Sequence, residues 1–120
     1  MAQPMVPMNE AEYIQKLQQE TLSVECSPAT LTLADNAVVA FPQSARLWYL
    51  RGTFICKSFN DSNYSLEDAV HCYQKAVELD PHCADAHEEL ANHCKGFLED
   101  LEGAERHYKV AAWIRRIEGR

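Results

Sequence analysis

The sequence predicts an all-α protein built from pairs of short antiparallel helices, and three observations carry that prediction. Apolar residues recur at spacings of three and four along most of the chain, the period of a helix with one buried face. No segment alternates apolar and polar residues at every second position, as a half-buried strand would. Serines and prolines fall where helices must start or stop, at Ser27-Pro28, Pro42, Ser44, Ser65 and Pro81.

Each helix has its own signals. Residues 1–8 hold two prolines and three methionines without periodicity, and are expected to form a flexible leader. From Asn9, residues Tyr13, Ile14, Leu17 and Thr21-Leu22 follow the helical period. Ser27-Pro28 starts a second helix, because the hydroxyl can cap and proline costs nothing at the first helical position. That helix carries Leu31, Ala34, Ala37, Val38 and Phe41 and must end near Pro42. Ser44 caps a third, with Leu47, Trp48, Leu50, Phe54 and Ile55. The run NDSNYS at 60–65 is a loop of turn formers. Ser65 with Asp68 makes a capping box and opens a fourth helix through Ala69, Tyr73, Ala76 and Leu79, which Asp80-Pro81 ends. A fifth is expected from about Ala84 to Phe97 and a sixth from about Leu101 towards Ile117.

Composition narrows the classes of function. A hydrophobic fraction of 47% with 24% charged residues is that of an ordinary soluble globular chain. A formal charge of −7 argues against nucleic acid and against an anionic membrane surface, both of which need clustered Lys and Arg. The start MAQPMVPMNEAEYI has neither the basic region nor the apolar stretch of a secretory signal. A cytoplasmic protein is expected, whose five cysteines, an odd number, stay reduced.

Laying the helix pairs under one another exposes a period. The second pair reads Trp48-x2-Arg51-Gly52-x2-Ile55, then Ala69-x3-Tyr73-x2-Ala76-x4-Pro81. The third reads His87-x2-Leu90-Ala91-x2-Cys94, then Ala104-x3-Tyr108-x2-Ala111. The first fits weakly, as Ile14-x2-Leu17-Gln18-x2-Thr21, then Thr30-x3-Ala34-x2-Ala37-x4-Pro42. Small residues at Gly52, Ala69, Ala76, Ala91, Ala104 and Ala111 allow helices to cross closely, and Trp48, Tyr73 and Tyr108 are placed to fill the space between pairs. One pair cannot cover its own apolar face, so pairs must stack.

These residues resemble the tetratricopeptide repeat, a helix-turn-helix unit of about 34 residues. The resemblance is most specific in AVHCYQKAVELDP and covers nearly everything from Asn9 to Ile117. It implies a short right-handed solenoid over residues 9–117, in units of about 9–43, 44–83 and 84–117, with a tail at 118–120. The chain departs from the pattern in places. Arg51 stands where leucine is usual, and Arg116 replaces the last proline. The spacing from Ala37 to Ala76 exceeds one unit by about five residues, and the first unit is degenerate.

The dipeptide His-Cys occurs at His71-Cys72, His82-Cys83 and His93-Cys94, which raises the question of zinc. The three do not share a helix, since Pro81 divides the first from the second, and no CxxC or HExxH spacing accompanies them. No metal and no other cofactor is expected. The chain also lacks GxSxG, a glycine-rich phosphate loop and an acidic DxD cluster, so an enzyme is not expected. The acidic stretch Glu99-Asp100-Leu101-Glu102 suits the positive end of a helix dipole.

In the family, the first helices of successive units line a concave groove that holds a partner's peptide or helix. Carried over residue by residue, the groove positions here are Glu12, Gln15, Gln19 and Ser23, then Arg46, Tyr49, Thr53, Cys56 and Lys57, then Asp85, Glu88, Asn92 and Lys95. Some members clamp a chaperone's terminal carboxylate with a Lys and Asn pair. Asn92 matches one clamp position, but Glu88 holds the place of the lysine, so the resemblance implies a basic or mixed peptide instead. The leading reading is a non-enzymatic adaptor for a protein or peptide partner. A metal- or thiol-responsive module using the histidines and cysteines, Cys56 or Cys83 among them, is the rival. Self-association through apolar surface at Trp113 and Ile114 is the third.

Overall fold

The computed structural model describes residues 8–22, 26–58, 63–96 and 99–119, and the described residues form helices without strands. In chain order they are α1 (Glu10–Glu20), α2 (Pro28–Ala40), α3 (Ala45–Ser58), α4 (Leu66–Leu79), α5 (Ala84–Gly96) and α6 (Leu101–Ile117). Most of the leader, Ser23, residues 60–62 of the 60–65 loop and Phe97 lie outside the described residues.

Local chemistry sets the helix ends. Asn9 accepts from the Glu12 amide at 2.8 Å while the Glu12 carboxylate accepts from the Asn9 amide at 3.0 Å, a reciprocal cap that closes two orphan donors. Ser65 and Asp68 repeat that device at the start of α4. Ser27 caps α2 with Pro28 in its first turn, and Asp100 caps α6 by accepting from the Gly103 amide at 2.9 Å. Ser44 accepts from the Leu47 amide at 3.4 Å at the head of α3. The indole of Trp48 reaches back to donate to the Pro42 carbonyl at 2.9 Å, fixing the turn between α2 and α3.

Helices pack in sequence order, most closely α3 on α4 and α5 on α6. One core runs through the first two pairs and into the third: Leu17, Leu31, Ala34, Val38, Leu47, Leu50, Phe54, Ile55, Tyr73 and Leu90. Burying a side chain such as Phe54 or Leu47 stabilises by about 1.5–3 kcal/mol. The small residues act where the repeat pattern puts them. A Cβ at Gly52 would stand 2.9 Å from the Tyr73 ring and 3.1 Å from Cβ of Cys72.

Two expectations for the last pair need correction. Ile114 is fully buried, so it supplies no exposed apolar end, whereas its neighbour Trp113 is 53% exposed and meets His82 edge-on. Residues 113 and 114 are adjacent on a helix and point about 100° apart, and the side of α6 facing α5 takes Ile114. Tyr108 does not fill a gap between pairs: it is 38% exposed and donates to the Asn92 side chain instead. No helix among the described residues is long and apolar enough to cross a membrane.

Candidate partner-binding face

The first helices α3 and α5 lie close enough for side chains to meet directly. Arg46 on α3 pairs with Asp85 on α5 at 3.1 Å, and the other oxygen of Asp85 accepts from Arg115 of α6 at 3.0 Å. Arg115 also holds Glu88 at 2.6 Å. Two guanidinium groups thus pair with two carboxylates at one end of the face, so both acids already have cationic partners within the chain. The Arg46 guanidinium sits 5.2 Å from the centroid of the Tyr49 ring.

Further along, aromatic rings run from α3 through α4 to α5. Tyr49 lies 5.8 Å from Tyr73, and Tyr73 lies 5.6 Å from His93, both tilted. Tyr73 is buried, and its hydroxyl stands 3.3 Å from the Thr53 hydroxyl and 3.7 Å from Sγ of Cys56. Cys56 Sγ is 3.4 Å from His93 Nε2. Burial pushes the Cys56 thiol up and the His93 imidazole down, which keeps both neutral. The thiolate is the reactive form, so this contact is not an activated nucleophile and base.

The sequence-predicted positions divide by what they touch. Arg46, Tyr49, Thr53, Cys56 and Asp85 come together between α3 and α5. Glu88 and Asn92 are turned towards α6, through Arg115 and Tyr108. Lys57 donates to the Thr21 carbonyl at 2.8 Å, joining α3 to the end of α1. Gln15 and Gln19 line a shallow depression on α1 with Met8, Glu12 and Lys16, apart from the α3–α5 cluster. Lys95 is exposed near the end of α5.

Sequence reasoning missed Glu89, His93, Tyr73 and Arg115 as members of this face. The available signal was the row Asp85, Glu89, His93 at spacings of four on α5, one residue round from the row Asp85, Glu88, Asn92 that the family pattern favours. Burial desolvates the Glu89 carboxyl and, with Glu88 and Asp85 nearby, raises its pKa.

Elsewhere, His87 and His107 face each other at 3.2 Å between Nδ1 atoms. Among the described residues no group of three or more His, Cys, Asp or Glu side chains converges as metal ligands would.

The stacked helix pairs and the side-by-side first helices define an all-α helical-repeat fold, a solenoid like that of tetratricopeptide repeats. Among solved structures, MamA from residue 41 to its end, from Desulfovibrio magneticus RS-1, superposes with a TM-score of 0.63 at 23% identity, over 92% of this chain and 55% of that one. A MamA RS-1 ArsTM double mutant gives 0.64 and 24%, over 92% and 54%. The chain therefore spans about half the length of these neighbours, and the likeness at such identity is one of fold. No protein-family model matches the chain, and no curated protein matches its sequence.

Proposed function

We propose that this protein is a non-enzymatic interaction module that binds an extended peptide segment of a partner along the α3–α5 face. The observation that carries this reading is the cluster of half-exposed, chemically varied side chains at one inter-unit junction: Arg46, Tyr49, Thr53, Cys56, Glu89 and His93. Tyr49 contributes a large flat contact that loses little side-chain entropy on binding. The Arg46–Asp85 pair ties the first helices α3 and α5 together, and the Arg115–Glu88 pair ties α5 to α6. The neutral state of Cys56 and His93 supports binding over catalysis.

The test is a random-peptide display selection against the immobilised chain. Enriched peptides should lose binding to Tyr49→Ala and keep it to Gln74→Ala, which alters the exposed side of α4. Melting temperature serves as the control for folding. Failure to enrich any peptide, or full binding by Tyr49→Ala, would rule out this face.

A further inference from the structure

We propose that Glu89, with Tyr49, Thr53 and His93 around it, receives a cationic side chain, arginine or lysine, from the partner peptide. This rests on the peptide-binding reading above and names what part of the peptide the face selects.

The charge ledger of the face leads to Glu89. Asp85 is held by both Arg46 and Arg115, and Glu88 by Arg115. Glu89 is half-buried on the same helix and has neither an ion pair nor a hydrogen bond among the described residues. Glu89 stands one helical turn before His93 on α5. The His93 ring lies 5.6 Å from that of Tyr73, with its Nε2 3.4 Å from Cys56 Sγ, so the helix puts Glu89 on the side of α5 that meets the aromatic cluster. Consistently, its charge opposes ionisation of Tyr49, Cys56 and Tyr73. Burial raises its pKa, with Glu88 and Asp85 adding to the effect, so the ionised form carries a cost that a bound cation would relieve.

The surrounding groups suit such a cation. Tyr49 presents its ring at the cluster and already holds one guanidinium, that of Arg46, 5.2 Å from its centroid. His93 is kept neutral by burial and does not repel a positive charge. The Thr53 hydroxyl, 3.3 Å from the Tyr73 hydroxyl, adds a neutral polar group to the same cluster. An acidic peptide residue would meet the Glu89 charge directly. An apolar one would cover the carboxylate and leave it unpaired in a drier site, which is strongly unfavourable. A planar guanidinium stacks on a ring and pairs with a carboxylate at once, so arginine should outperform lysine.

The test uses peptides enriched in the selection described above. They should share one arginine or lysine position, and replacing that residue by glutamine in the peptide should weaken binding about tenfold or more. Glu89→Gln should cause a similar loss, and the two changes together should cost little more than either alone, because each removes the same contact. The peptide-side substitution keeps the question answerable even if Glu89→Gln disturbs the fold. Enriched peptides that depend on Tyr49 but share no basic position, or that ignore both changes, would overturn the Glu89 site and leave the peptide face standing. No enrichment at all would overturn both.

Discussion

Arg51 on α3 donates from Nε to Oδ1 of Asp35 on α2 at 2.8 Å, and this pair ties the first helix pair to the second. It also accounts for an arginine where the repeat pattern favours leucine. The Asp35 carboxylate accepts a second bond from the Tyr64 hydroxyl at 2.7 Å, and the guanidinium lies 5.1 Å from the Tyr64 ring and 5.8 Å from that of Trp48. Burial works against the Arg51 charge, but Asp35, Cys72 and Tyr64 together raise its pKa overall. The position has exchanged an apolar contact for a local polar network.

Removing one partner of that network should therefore cost more than removing both. Asp35→Ala leaves the guanidinium under-satisfied and should lower stability by about 1–3 kcal/mol in urea denaturation. Adding Arg51→Leu should restore much of the loss, since the repeat accommodates leucine there. A double variant less stable than Asp35→Ala alone would contradict this account.

Gly52 marks the crossing of α3 and α4. Gly52→Ala gains about 1 kcal/mol of helix propensity, yet its methyl would press on Tyr73 and on Cβ of Cys72. Both neighbours are buried and Cβ of Cys72 is rigidly placed, so overpacking should prevail, with a net loss of about 1–2 kcal/mol and a lower melting temperature. A rise in melting temperature would show that the helices have room to separate.

Acid should weaken the junction of α5 and α6. The Pro81 carbonyl only accepts, so His87 donates from Nε2 at 3.0 Å and accepts at Nδ1 from His107. Burial lowers the His107 pKa below 6.5; the neighbours His87 and Arg106 add to this and Asp100 opposes it. Burial lowers that of His93 as well. Imidazoles with depressed folded pKa values contribute stability that is present above pH 6.5 and is lost as pH falls through their folded values. Glu89, with its raised pKa, works the other way nearer the carboxylate value of 4.5. Denaturation midpoints should thus drop between pH 7.5 and 5.5, and His107→Gln should flatten that slope. An unchanged slope in the variant would remove His107 as the cause.

Much of the fold was legible because its causes are local. The prolines at 28, 42 and 81, the serines at 27 and 65, and the alanines at the crossings determine helix ends and close approaches from within a few residues of chain. The face was legible in part. Arg46, Tyr49, Thr53 and Asp85 follow from position in the unit, but Glu89 and His93 belong to it because of how far α5 is rotated against α3. That rotation depends on what fills the space between them, where Tyr73 of α4 stands between Tyr49 of α3 and His93 of α5.

By itself, then, the sequence determined the number of helices, their order and ends, and the small residues at their crossings, since hydrogen-bond capping and steric size act at short range. Only the tertiary structure decided which charges are satisfied and which stand alone. Asp85 and Glu88 read as the acidic edge of a groove until Arg46 and Arg115 arrive from other helices to pair with them, while among the described residues no cation pairs with Glu89. Pairing of this kind depends on distances across helices remote in sequence, and those distances are set by the packed core.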